Sequence, residues 1–312
     1  MTGMRRTLVS TAVSAMVLVT TIGGAVAAEL DDVLADARES TFTASRLVVS
    51  LWGGETQISR EFVEHADGME MVRRDSTWSI AGHGKSASMG DEPTGFAFMT
   101  ESNPFVTSRY SLIQSGEATH MSRPCHIIEV MEGDVLRAVL VVDDRSVALL
   151  IQELYNASGA LYRRTTLSNF RAYRTYEAEM DTSDVPMEVV MHEESEQMPD
   201  FVAGYELVDA FGAPGSSEQG FYTDGLFRFS LFVLDGRTNV SGFEDPMAFI
   251  AESGVYDMVP TASAVRLHWE DGANQYVLVG DLPPDHLGDV LGELPAPDSR
   301  GVWAKWWSRI FG

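Results

Sequence analysis

The feature that most constrains this chain is a recurrence of short, apolar-rich runs separated by compact turns. "CHIIEVM" turns at Glu132-Gly133-Asp134 into "VLRAVLVVD", and "VALLIQELY" turns at Asn156-Ala157-Ser158-Gly159 into "ALYRRTTLSNF". Upstream, "FTASRLVVSLW" ends at Gly53-Gly54, "TQISREFVEH" ends at Ala66-Asp67-Gly68, and "MEMVRR" follows. Sequential strands joined by short Gly-containing turns can only pair antiparallel with their neighbours. The span 42–176 therefore predicts an antiparallel meander, of the kind that has one covered face and one wet face. Ahead of it, "ELDDVLADARES" (29–40) places Leu30, Val33, Leu34 and Ala37 on one side of a short amphipathic helix.

A second β region follows an abrupt change of composition. "YEAEMDTSDVPMEVVMHEESEQMPD" (176–200) holds nine Asp or Glu residues and two prolines. It reads as a linker with one short strand, "MEVVM", or as a solvated strand edge continuing the first region. Beyond it, "FVAGYELV" reads as a strand, and "FYTDGLFRFSLFVLDG" (221–236) as a hairpin turning at Asp224-Gly225. After that turn Phe227, Phe229, Leu231 and Val233 share one parity, and Leu226, Phe232 and Leu234 the other. A strand apolar on both sides is covered on both sides. "DPMAFIAES" (245–253) reads as a helix capped by Asp245 with Pro246 in its first turn. "SAVRLHWED" and "NQYVLVGDL" are strands joined at Asp271-Gly272, and "PPDHLGDVLGEL" (283–294) is a further helix. Strands with helices on one face make an α+β layer.

The N-terminus reads as a targeting segment. Arg5 and Arg6 precede an apolar stretch over 7–22, and Ala25-Val26-Ala27 is a small-x-small cleavage site, so the mature chain is expected to begin at Ala28 or Glu29. The alternative is an uncleaved membrane anchor. No cysteine follows the cleavage site, which argues against lipid anchoring. Removing Arg5 and Arg6 takes 22 basic against 46 acidic residues to 20 against 46, a net charge of −26. Such a chain repels nucleic acid. Cys125 is the single cysteine, so no internal disulfide forms and the packed core alone holds the fold.

The search for chemistry yields no catalytic, cofactor-binding or metal site. "SIAGHGKS" (79–86) approaches a phosphate loop, but Ser79 stands where the first glycine is required, so it reads as a polar turn. The histidines (65, 83, 120, 126, 192, 268 and 286) form no metal-ligating helical pair. Cys125 and His126 are adjacent on a strand and point to opposite faces, so Cys125 reads as a buried inert thiol. No Gly-x-Ser-x-Gly elbow exists.

Several stretches resemble the MucB/RseB family, exported regulators of envelope-stress (sigma-E) signalling. "MPDFVAGYELV" is similar to the opening of that family's second domain, "YTDGLFRFSLFV" to its Tyr-Ser-Asp-Gly-Leu hairpin, and "YVLVGDLPPDHLGDVL" to its closing Val-Gly-Glu-Val-Pro segment and helix. In the first domain "RPCHIIEVMEGDVLRAVLVVDDRSVALLIQELYNASGALYRRTTLSNF" has its run of three hairpins. The likeness covers most of 29–294. It departs where Met198-Pro199 is followed by Asp and Phe rather than Gly-Phe, and in the tail.

The resemblance implies a mainly β, α+β protein. A strongly curved antiparallel sheet (a LolA-like half-barrel, 29–176) would be followed by the acidic linker 177–197 and a smaller α+β domain (198–295), with a signal peptide at 1–28 and a flexible lead and amphipathic tail at 296–312. It implies a non-enzymatic protein that binds the extracytoplasmic part of a membrane-spanning anti-sigma factor and controls its proteolysis, released by a lipid or lipoprotein signal. A lipid or lipoprotein carrier of the cell envelope is the alternative, and an unrecognised hydrolase the third reading. A simple carrier would need only the curved sheet.

The tail, "GVWAKWWSRIFG", has its own pattern. Trp303, Trp306, Trp307, Ile310 and Phe311 share one helical face, with Lys305, Ser308 and Arg309 opposite. Twelve helical residues reach only about 18 Å, too short to span a bilayer. The segment suits a membrane surface or partner, and equally a groove on the protein itself.

Overall fold

The computed structural model describes residues 30–54, 56–66, 69–74, 77–82, 85–89, 109–173, 198–212, 217–238 and 240–298. The signal peptide, the linker 177–197 with its "MEVVM" strand, and the tail residues Trp303, Lys305, Trp306, Trp307, Arg309, Ile310 and Phe311 lie outside them.

Two antiparallel sheets carry the fold. After helix α1 (Leu30–Glu39), the first sheet is formed by β1 (Phe42–Ser50), β2 (Gln57–Ala66), β3 (Met69–Arg74), β4 (Thr77–Gly82), β5 (Lys85–Met89), β6 (Ser111–His120), β7 (Arg123–Glu132), β8 (Val135–Asp143), β9 (Leu149–Tyr155) and β10 (Leu161–Ala172). Its order, β5-β4-β3-β2-β1-β10-β9-β8-β7-β6, is two five-strand meanders joined along β1 and β10. The second sheet comprises β11 (Phe201–Val202), β12 (Tyr205–Phe211), β13 (Glu218–Thr223), β14 (Arg228–Asp235), β15 (Met247–Ala251), β16 (Gly254–Pro260), β17 (Val265–Glu270) and β18 (Asn274–Gly280), in the order β11-β12-β13-β14-β18-β17-β16-β15. Helix α2 (Pro284–Glu293) follows it. The protein is mainly β within an α+β plan, as the hairpin pattern requires.

Three local expectations change. Residues 245–253 are not a helix: β15 and β16 form a hairpin pairing Ile250 with Val255. An isolated helix of nine residues is marginal, whereas the strand sets Phe249 edge-on to Trp52, ring centres 6.2 Å apart. Among the described residues, α2 is thus the one helix beside the second sheet, where two were expected. "FVAGYELV" is two strands, with Val202 paired to Tyr205 across Ala203-Gly204, both at positive φ. The Asp224-Gly225 turn is wider than a two-residue loop, since Thr223 pairs with Arg228 and four residues lie between them.

Strand β14 is covered on both faces by different partners. Phe229, Leu231 and Val233 enter a core continuous across both sheets, with Ile128, Val130, Ala138, Leu140 and Leu154 of the first and Leu287, Val290 and Leu291 of α2. Phe232 and Leu234 face the other way, into a small cluster closed by Val240 and Phe243 from the connection to β15. Core residues such as Leu140 and Leu278 are wholly buried, and truncating one of these to Ala costs about 2–5 kcal/mol. Cys125 is buried with its thiol pushed up by burial, while His126 bonds Asp144 on the exposed side.

Candidate functional site at the joint between the sheets

Apolar packing brings the sheets together, but charged and hydroxyl side chains fix how they meet. The sequence alone assigns none of them to a site. Asp224 begins the construction. Its Oδ1 accepts the backbone N–H groups of Leu226 (3.1 Å) and Phe227 (2.8 Å), building the loop that the Asp-Gly pair announces. Thr223 Oγ1 accepts from Gly225 N (3.0 Å) and donates to Phe227 O (2.9 Å), and Gly225 takes φ 90°, a conformation glycine adopts without cost. Oδ2 is left to reach the other sheet. It accepts the Tyr110 hydroxyl at 2.6 Å, and the Arg109 guanidinium lies 3.6 Å away. Asp224 is fully buried, and burial raises its pKa despite these donors.

His286 is the second anchor. Pro284 opens α2 and places His286 in its first turn, aimed at the first sheet. Nδ1 lies 2.7 Å from the Tyr205 hydroxyl, and Nε2 lies 3.0 Å from Arg109 Nη2 and 3.1 Å from Glu132 Oε2. Each neutral tautomer matches Tyr205 and one of the two groups on Nε2. With Nε2–H it donates to Glu132 and accepts from Tyr205; with Nδ1–H it donates to the Tyr205 oxygen and accepts from Arg109. Burial, then the Arg109 charge, lower its pKa.

Glu132, at the end of β7, links two arginines. Oε1 accepts from Arg109 Nε, and Oε2 accepts from Arg137 Nε at 2.6 Å. Burial opposes its ionisation, but these hydrogen bonds and charges hold its pKa below the usual carboxylate value. Arg137 Nη1 reaches Asp285 of α2 at 2.7 Å, and Asp285 Oδ1 also accepts Ala157 N from the β9–β10 loop at 3.1 Å. Arg109 lies over the Tyr205 ring, 5.9 Å from its centroid. The cluster alternates between sheets: Arg109, Tyr110, Glu132 and Arg137 from one side, Tyr205, Asp224, Asp285 and His286 from the other.

Further along the joint, Tyr162 donates to the Asp281 carbonyl oxygen at 2.9 Å. Arg46 there binds Glu61 and Glu70, each at 2.7 Å, and Arg74 binds Glu61 at 2.5 Å.

This chemistry is that of a clamp. Burial and the Arg109 charge favour the neutral imidazole, and no hydroxyl or thiol nucleophile stands beside it other than two tyrosines whose pKa values burial raises far above the ordinary. Among the described residues no three His, Cys, Asp or Glu side chains group as a metal site, and no helix is long and apolar enough to cross a membrane. Buried ion pairs of this kind fix geometry more than they add stability. A rim of loops from both sheets is thereby held as one surface.

No protein-family model and no curated protein matches the sequence. Solved structures do. The Pseudomonas aeruginosa MucA/MucB complex is similar over 86% of this chain and 98% of that one, with TM-score 0.53 and 19% identity. MucB in complex with MucA(peri) is similar over 84% and 95%, TM-score 0.51, 19% identity. MucB without its partner is similar over 87% and 98%, TM-score 0.55, 19% identity. Both sheets enter these likenesses, since neither alone spans that share of the chain. The chain has the fold of MucB.

Proposed function

We propose that this chain is an exported, non-catalytic regulator that binds the extracytoplasmic part of a membrane-spanning anti-sigma factor and controls its proteolysis. The observation that carries the reading is the likeness to MucB over nearly the whole of both chains, including MucB in complex with MucA(peri). A joint that fixes two sheets as one surface supports it, because a docking platform needs a stable shape. The partner surface is expected to be basic, given 46 acidic against 22 basic residues, so association slows as salt screens the attraction. Calorimetry between the mature chain and the extracytoplasmic domain of a co-encoded anti-sigma factor tests this. Stoichiometric binding is expected, and heat-silent mixing at both low and moderate salt would remove the proposal.

The carrier reading has one observation in its favour. An open cavity of about 620 Å3 on the first sheet is lined mainly by polar and charged side chains, among them Arg46, Arg60, Glu61 and Arg73, with Leu47 and Phe62 as its apolar part. Its basic groups suit an anionic head, and Leu47 and Phe62 the start of an acyl chain. Here that lipid is the signal that releases the partner, and the cavity is its seat.

The domain reading stands as part of the same proposal: 29–176 and 198–295 are two units joined by 177–197, and 296–312 carries the tail. Residues 177–197 contain six Glu, two Asp and no Lys or Arg, so a glutamate-specific protease is the probe. It is expected to cut there first and leave two pieces that co-elute, held by the shared core. A resistant fragment spanning 150–220 would remove the division. The face of Trp303, Lys305, Trp306, Trp307, Arg309 and Phe311 is assigned to the membrane surface, holding the regulator near a membrane-embedded partner. Deleting 300–312 should abolish vesicle co-sedimentation without lowering Tm, and the reverse pattern would place the tail on the protein.

A further inference from the structure

Two arginines of the first sheet present the same edge of their guanidinium groups with opposite outcomes. Arg123 donates from Nε (2.6 Å) and Nη2 (2.8 Å) to the two oxygens of Asp143, a bidentate fork. Arg163, on β10 and only 4% exposed, has Nε and Nη2 buried with no acceptor. Its remaining nitrogen, Nη1, lies 3.8 Å from Asp281 Oδ2. Asp281 is otherwise engaged: Oδ1 accepts the Arg228 backbone N–H at 2.9 Å, and Oδ2 also lies 4.0 Å from Arg228 Nε. Trp52 Nε1 is a further buried donor without an acceptor. Trp52 and Arg163 lie against the same ring, Tyr162, at 6.3 Å between ring centres and 5.9 Å from Cζ to centroid.

Every unsatisfied group here is a donor, and the vacant edge is the one that grips two oxygens of one group. We propose that Arg163, assisted by Trp52, forms a binding site for a single small oxyanion of the phosphate type at the joint between the sheets. The near-complete burial of Arg163 selects a compact group over an extended one. Arg228 lies close enough to feel the charges of Asp281, Glu70, Arg46 and Arg163, so the carboxylates nearby offset part of the positive charge here. An anion bound here ties β10 to the Asp281 segment that precedes α2, so it stabilises the joint. The inference is independent of the regulatory function.

The test uses the mature chain, titrated with inorganic phosphate against chloride at matched ionic strength and read by Tm and calorimetry. A saturable rise in Tm of about 5 °C is expected at a hundredfold excess over Kd. Arg163→Met should lose the response at least tenfold in affinity while its Tm without phosphate stays within about 2 °C of the parent's. Arg163→Lys, which keeps charge but not the fork, should lose most of it. If Arg163→Met fails to fold, Trp52→Phe keeps the ring, removes one donor and should weaken the response. Soluble short-chain phosphatidic acid separates the sources: an Arg163-dependent response to inorganic phosphate identifies a free ion, and one to the lipid alone identifies a headgroup. Equal shifts in chloride and phosphate, an undiminished response in Arg163→Met, or no response to either probe would overturn the site, leaving ordered water as the partner of these donors.

Discussion

The two ends of the joint are built from the same residue types and reach different endpoints. Near the start of α2, Arg109 and Arg137 have Glu132, Asp224 and Asp285 within reach, and the His286 ring has a partner on each nitrogen. Around Tyr162, Arg163 has one carboxylate at 3.8 Å and an open fork. A buried charge is tolerable when its hydrogen bonds are filled and costly when they are not. The first end is therefore a completed clamp, and the second leaves Nε and Nη2 of Arg163 without a protein acceptor.

The sharpest way to break this comparison is to remove one charge from each end. Glu132→Leu leaves Arg109 and Arg137 facing each other and His286 short of an acceptor. It is expected to cost about 3 kcal/mol in urea unfolding. Arg163→Met removes a charge held by one distant carboxylate and is expected to change stability by less than about 1 kcal/mol, in either direction. Equal losses for the two variants would mean that the ends do not differ.

The next effect is a pH dependence confined to the completed end. The His286 pKa is lowered from its ordinary 6.5, so below that pH the unfolded chain takes a proton that the folded chain refuses. Stability falls as pH drops from about 6.5 to the lower folded value, by at most about 1.4 kcal/mol per unit. Arg109 and Arg137 oppose the protonated ring, while Glu132, Asp224 and Asp285 favour it. Asp224 runs the other way. Its folded pKa is raised above 3.8, so the cost of burying its charge is relieved as pH falls through that raised value. His286→Gln should flatten the slope between pH 5 and 7 (to within about 0.3 kcal/mol per unit), while Asp224-linked change persists at lower pH. An unchanged slope in the variant would assign the dependence to other groups.

Much of the fold was legible because its determinants are local. Glycine at 133 with φ 57° and at 159 with φ 76° marks hairpins that the chain announces within a few residues, and Pro284 marks α2 in the same way. The 245–253 segment misleads because Asp245-Pro246 mimics a helix start, while the contact that decides the matter, Phe249 on Trp52, joins residues far apart in the sequence. The clamp was invisible for a related reason. Arg109, Glu132, Asp224 and His286 come from four separate stretches, and no spacing rule joins residues that only a three-dimensional joint brings together. His286 and Asp224 were both in view, one as an unassigned histidine and the other as a turn residue. The missing signal was that each has a second polar face pointing into an apolar core.

The smallest expected effect tests how far local turn chemistry governs the first sheet, away from the joint. Strand β6 went unread because its hairpin to β7 contains no glycine. His120 pairs with Arg123, so Met121 and Ser122 form a two-residue loop, with φ 52° and 61°. Both central residues at positive φ define the turn whose twist matches antiparallel strands, and Asn-Gly is its preferred pair. Methionine there carries a Cβ close to the following carbonyl, a cost of about 1 kcal/mol that Asn and Gly reduce. Met121 is also 37% exposed, so its side chain contributes little packing to offset the strain. Met121→Asn combined with Ser122→Gly is therefore expected to stabilise the chain by about 0.5–1 kcal/mol, read as a raised urea midpoint at unchanged slope. The joint lies elsewhere, so the pH dependence of His286 and any phosphate response at Arg163 should be untouched. A gain that altered either of them would show the two regions to be coupled, and a loss of stability would show that Met121 packs on a partner worth more than the strain it stores.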